Sequence, residues 1–182
     1  MGVSRSSQHS IDVAAVVRAE LEARFSVDTA VGDLIPPGRV QHRVGSQVVL
    51  DGFVSSSGQP LSKCDGLVWV TVVRRYRTSI FPGEEYASSN CGHPKAITVQ
   101  VGVARCSAMM DEYGTPPPPE VIAYEATRGL DDAGRLDAAL CAAGRLLEET
   151  GKINGFAIDS SEPVGPEGGV ISWIQQAAFW LA

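Results

Sequence analysis

Two stretches decide the fold: Leu67-Val68-Trp69-Val70-Thr71-Val72-Val73 and Ile97-Thr98-Val99-Gln100-Val101-Gly102-Val103. The first is apolar at nearly every position; the second alternates strictly between apolar and polar or small residues. Successive side chains of a strand point to opposite faces of a sheet. The first stretch therefore reads as a strand covered on both faces and the second as a half-buried strand. Thr78 to Pro94, between them, is irregular and contains Phe81-Pro82-Gly83 and Ser88-Ser89-Asn90-Cys91-Gly92-His93-Pro94. Connections beyond ~12–15 residues without structure of their own are usually functional or disordered. Phe81 and Tyr86 favour a packed or partner-binding loop here.

Working outward, Ser10 is placed to cap a helix beginning at Ile11, with residues 1–9 as a flexible tail. Val13, Val17, Leu21 and Phe25 recur at steps of four and form its buried stripe, widened by Ala14 and Val16. Val27 to Pro37 reads as a connector, Gln47 to Leu50 as a short strand preceded by a candidate at Arg39 to Val44, and Ser55 to Pro60 as a loop. The first core strand runs from Gly66 to about Arg75, the second from Lys95 to Cys106. Pro116-Pro117-Pro118-Pro119 is a stiff lead-in to a helix, since proline is tolerated in a first turn. Two helical pieces follow, Glu120 to Arg128 and Asp131 to Glu149, with Gly129 kinking or parting them. Leu136, Leu140, Ala143 and Leu147 make the buried stripe, and Gly151 closes the helix. Ile153 to Asp159 and Val170 to Leu181 are strands joined across the turn cluster Val164 to Gly169. The order helix, strands, helix, strands predicts one α+β domain over residues 1–182. Its sheet is mainly antiparallel, with the N-terminal helix and the longer helix on one face and a C-terminal β-hairpin.

With 182 residues, 44% apolar and 20% charged, the composition suits a single globular domain. A chain of this length buries roughly 70% of its unfolded surface without staples. The net charge of -6 lacks the basic footprint of a nucleic-acid reader. The one tight basic cluster, Arg74-Arg75 with Arg77, reads as a strand end meeting solvent or a partner's carboxylates. No apolar run approaches the ~18 residues needed to span a membrane. The polar start, Met1 to His9, has no apolar signal core and fits the loose myristoylation pattern only as a short chance match.

The four cysteines, Cys64, Cys91, Cys106 and Cys141, form no CxxC pair. Three readings stand for them: buried or idle thiols, one or two disulfides, or a metal site drawn from Cys64, Cys91 and His93. Cys106 and Cys141 suit small apolar positions. Catalysis of the Ser-His-Asp type needs a base within reach of a nucleophile. The three histidines, His9, His42 and His93, fall in a tail, near a turn and in the long loop, and no GxSxG elbow occurs. The Gly-rich turn near Gly168 lacks the Lys and Ser/Thr of a phosphate loop. No catalytic, cofactor-binding or metal residue is assigned and no cofactor is expected. The candidate interface is Arg74, Arg75, Arg77, Phe81, Glu84, Glu85 and Tyr86. The alternative from another class is a small cysteine- or metal-dependent enzyme.

Several segments together carry a family resemblance: Val68 to Tyr76, Thr78-Ser79-Ile80-Phe81-Pro82, Asn90-Cys91-Gly92, Val101 to Cys106, the proline run, Leu130-Asp131-Asp132 through Cys141, and Pro163 to Gly169 before an apolar last strand. They resemble neck or tail-completion proteins of long-tailed phages infecting actinobacteria, and within that group tail terminators. The resemblance covers about residues 66–182; the first sixty-five agree only in element order. It implies a small α+β virion protein, assembled in the host cytoplasm, that forms a homo-oligomeric ring, expected as a hexamer. The ring would cap the tail tube protein and dock to the head-tail connector protein, with DNA passing through without specific binding and no membrane involved. Other head-tail connector proteins, of the head-closure or adaptor kind, are the nearest alternative.

Overall fold

A computed structural model describes residues 5–28, 40–44, 66–84, 92–167 and 169–182. Within them the order is α1 (Arg5–Phe25), β1 (Val40–Val44), β2 (Leu67–Arg77), β3 (Lys95–Cys106), α2 (Pro119–Glu149), β4 (Ile153–Glu167) and β5 (Val170–Leu181). The strands form one five-stranded sheet in the order β1-β2-β3-β5-β4. Every pairing is antiparallel except β1 with β2. The class is α+β, with β4 and β5 making the C-terminal hairpin. The expected elements at Gln47 to Leu50 and Ser55 to Pro60, and nearly all of the connector from Val27 to Pro37, lie outside the described residues.

The alternating strand is not half-buried. Every residue of β3 between its two ends is buried. The reason is its place in the sheet: β3 is central, so its polar parity is enclosed as well. Ile97, Val99, Val101 and Val103 face the main core with Val68 and Val70 of β2 and Ala177 and Phe179 of β5. Thr98, Gln100 and Gly102 occupy the opposite face and are buried there too. That face holds a second cluster of Leu67, Trp69 and Ala104, with Val170 and Ile174 packed on it. Gly102 is what lets Trp69 lie flat: a Cβ at this position would fall inside the indole ring.

Both helices pack on the main-core face. Val13, Val17, Leu21 and Phe25 of α1 and Leu136, Leu140, Ala143 and Leu147 of α2 belong to that core. The expectation of a frayed tail over residues 1–9 fails for residues 5–9, which form the first turns of α1. His9 is buried, and its Nδ1–H donates to the Ala182 backbone oxygen (3.0 Å), fastening the helix start to the C-terminus. Ser10 is a buried helix residue, not a cap. Asp12 pairs with Lys152 at 2.7 Å, which holds its carboxyl below the usual range. Nor do Glu120–Arg128 and Asp131–Glu149 separate: α2 is one helix of 31 residues. Gly129 serves close approach, because a Cβ there would lie 2.6 Å from Trp173 Nε1 of β5. Gly144 does the same for the Phe156 ring, again at 2.6 Å. β4 continues past Asp159 to Glu167 as an edge strand with register shifts after Ile158 and Val164. An edge strand and its bulges tolerate Pro163 and Pro166, whose missing N–H groups would break an inner strand.

At the far end of β3, Arg105 grips Asp132 of α2 through two charge-assisted bonds, Nε to Oδ2 at 2.5 Å and Nη2 to Oδ1 at 2.8 Å. Their side chains are 4% and 2% exposed. Removing one partner of such a pair strands the other charge away from water. Asp132→Ala is expected to cost about 3–5 kcal/mol in urea denaturation; a loss below about 1 kcal/mol would mean that solvent reaches the guanidinium. Leu140→Ala is expected to cost about 2–5 kcal/mol by opening a cavity under α2, and a change under about 0.5 kcal/mol in the same melts would contradict the assigned helix face.

Candidate interaction surface

The residues after β2 do not hang free. Thr78 is buried; its N–H donates to the Pro94 carbonyl (3.1 Å) and its hydroxyl accepts from the Ile80 N–H (3.0 Å). The Gly83 N–H closes the turn on the Ile80 carbonyl (2.9 Å), and the Phe81–Pro82 peptide is cis. Phe81 stacks on Trp180 of β5 with ring centroids 5.7 Å apart and planes 11° from parallel. The Tyr76 hydroxyl donates to the Pro82 carbonyl at 2.9 Å. Burial raises the Tyr76 phenol above its ordinary value, which keeps that proton in place. Arg74 forms an ion pair with Glu84 and lies 5.3 Å from the centre of the Tyr76 ring. The turn over residues 78–84 is thereby folded back onto the helix-free face, leaving Ile80 61% exposed.

The basic cluster is divided. The register shift between Val72 and Arg74 inserts one residue into β2, so Arg74 pairs with Thr98 and Tyr76 with Ala96. These positions belong to the helix-free face, whereas Arg75 and Arg77 fall on the opposite parity. The Arg77 guanidinium donates to the His93 carbonyl (3.0 Å), and Arg75 is exposed. Arg74, Phe81 and Glu84 of the expected interface thus come together, and Arg75 and Arg77 point elsewhere; Glu85 and Tyr86 lie outside the described residues. A cleft of about 330 Å³ beside the turn is lined by Arg74, Tyr76, Pro82, Thr98, Asp159 and Gln176 among others.

The residues weighed for chemistry are scattered. His9 is held by the C-terminus, His42 sits exposed on β1, and His93 precedes β3. Cys64 and Cys91 lie outside the described residues. Cys106 is disulfide-bonded, which selects the disulfide reading for it over the filler reading, while Cys141 is a free, half-buried thiol on α2.

Two further features lie outside the interface expected from the sequence. After β3, Asp111 organises a tight turn: its Oδ1 accepts from the N–H groups of Tyr113 (2.9 Å) and Thr115 (2.8 Å), and the Gly114 N–H donates to its carbonyl (3.0 Å). These bonds hold the Asp111 carboxyl below its usual range. The turn displays Met109, Met110 and Tyr113 at 65%, 69% and 85% exposure. On the helix layer, the C-terminal end of α1 and the middle of α2 leave a groove of about 580 Å³ between Ala23, Val27, Leu130, Gly134 and Ala138.

Among the described residues no helix is long and apolar enough to cross a membrane. Comparison with known proteins finds no family model that matches the chain and no curated relative.

The pinned turn depends on one aromatic pair. Phe81→Ala is expected to lose about 0.5–1.5 kcal/mol of ring stacking in addition to buried area, and to raise hydrogen exchange over residues 78–84 while that of β3 is unchanged. Unaltered exchange in the turn would mean that the Arg74–Glu84 pair and the Tyr76 hydroxyl suffice.

Proposed function

We propose that this chain is a virion structural protein, a phage tail terminator that acts by forming a homo-oligomeric ring at the head-proximal end of the tail tube. The motifs between residues 66 and 182 support this reading, and so does a sheet whose two helices share one face. The observation that carries it is the turn over residues 78–84. A segment of this kind, fixed on the bare face by Phe81, Tyr76 and Glu84 while Ile80 stays exposed, is built to meet another surface with little further ordering. Ring closure requires two different patches on each subunit. The partners are further copies of the chain, six in the expected ring, the tail tube protein and the head-tail connector protein. DNA traverses the ring, and an acidic chain suits a passage better than a grip because phosphate contacts add steep affinity.

Cryo-EM of the purified protein mixed with tail tubes tests the reading. The expected image is a sixfold ring on one end of each tube; tubes that stay bare at saturating protein would refute it. Ile80→Asp is expected to reduce capping with thermal stability nearly unchanged, since an exposed substitution usually alters stability by less than about 0.5 kcal/mol. Full capping by this variant would remove the turn from the interface.

A further inference from the structure

We propose that the Met109–Thr115 turn of one copy docks into the α1–α2 groove of a second copy. The inference rests on the self-assembly reading above and specifies which two surfaces meet.

The turn is shaped as an anchor. Met110 and Tyr113 project from it, Met109 lies 65% exposed with its sulfur against Gly169, and methionine and tyrosine are enriched at protein interfaces. Its conformation is set in advance by the Asp111 carboxylate, which binds two backbone N–H groups. Behind it stand four prolines, the last before α2 being Pro118 at φ -56° and ψ 144°, in the polyproline region. At the other end, Ser107 and Ala108 are bonded to the Glu125 carboxylate at 3.1 and 2.7 Å. Docking such a turn costs little conformational entropy.

The groove has the matching character. Ala23, Gly134 and Ala138 keep it open, Val27 and Leu130 in its lining are 60% and 65% exposed, and Arg24, Asp131 and Arg135 complete it. Charges agree as well. Glu112, at the tip of the turn, is exposed and has no ion pair among the described residues. Arg24, on the groove wall, has one weak partner, Glu20 at 3.7 Å. The same lining holds Asp131 and Arg135, which pair with each other at 2.8 Å, so Arg24 is the guanidinium that the turn's acid would meet.

A copy cannot fill its own groove with its own turn. The turn's base is fixed to α2 at Glu125, and Gly134 on the groove floor lies nine residues further, roughly two and a half helical turns. The two features therefore face opposite sides of α2. Turn into groove is a head-to-tail contact, which generates rings when its rotation closes.

Gly134→Leu is the decisive variant. A Cβ at Gly134 meets nothing within 4 Å, so the new side chain occupies the groove without disturbing the fold. Sedimentation velocity on the full chain, from micromolar to near-millimolar protein, should show concentration-dependent association of the wild type. Gly134→Leu and Glu112→Arg should each weaken it by roughly tenfold or more, with melting temperatures retained. Arg24→Glu should weaken it too, and combining it with Glu112→Arg should restore part of the loss. If all variants associate like the wild type, this contact is wrong while self-assembly through other surfaces stands. A lowered melting temperature for Gly134→Leu with association unaltered would show the groove already filled by its own chain, and would overturn the proposal. A wild type that is monomeric throughout refutes both this contact and the self-assembly on which it rests.

Discussion

The placement of α2 depends on the buried pair between Arg105 and Asp132. Two charges with side chains 4% and 2% exposed have lost most of their hydration, and their mutual attraction roughly offsets that loss. What the pair supplies is position. A bidentate guanidinium–carboxylate contact has one good geometry, and sliding α2 by a turn would leave both ions bare. The neighbouring contacts agree with that setting. Gln175 of β5 donates to Asp137 at 3.1 Å, and Gly129 and Gly144 let Trp173 and Phe156 come up against the helix backbone. A one-turn shift would set larger side chains against those rings.

Once both helices are committed to one face, the sheet has to close its other face differently. Trp69 does this at the centre, lying over Gly102, and Leu67, Ala104, Val170 and Ile174 extend the apolar patch. Nearer the start of β3, the turn over residues 78–84 adds Phe81 against Trp180. The edge strands show a further division. β4 carries two register shifts and two prolines in its second half, devices that discourage pairing with a foreign strand. Its first half, which includes Phe156 and Ile158, packs against the main core instead.

Local pattern was enough wherever it coincided with environment. β3 begins and ends where the alternation does, at Lys95 and Cys106, and the stripes of α1 and α2 are the buried faces. Alternation records polarity, however, and exposure depends on what lies beside a strand; Thr98 and Gln100 are polar and enclosed because β3 is central. α2 runs through Gly129 because packing against Trp173 outweighs the roughly 1 kcal/mol that a helical glycine costs. α1 starts early because His9 reaches Ala182, at the other end of the chain. The site was legible to the same extent. Phe81 and Glu84 stood out as candidate interface residues, but their partners come from β5 and from the shifted parity of β2. No local window contains either; strand alternation parts Arg75 and Arg77 from Arg74, and the shift decides which of them meets the helix-free face.

The turns over residues 78–84 and 109–115 share a construction that bears on how the chain meets other surfaces. The first leaves the end of β2 beside Lys95 and the second leaves β3 after Cys106, so they stand at opposite poles of a strand of roughly 40 Å. Each is fixed from within, one by Thr78 and Tyr76 and the other by Asp111. Each leaves large apolar side chains in solvent: Ile80 on the first, Met110 and Tyr113 on the second. Exposed hydrophobes on a loose segment would collapse onto the nearest apolar surface. Held on a rigid turn they stay available, and the ordering cost has been met during folding. Two such projections at opposite poles leave apolar side chains presented at both ends of the central strand, too far apart to cover one another.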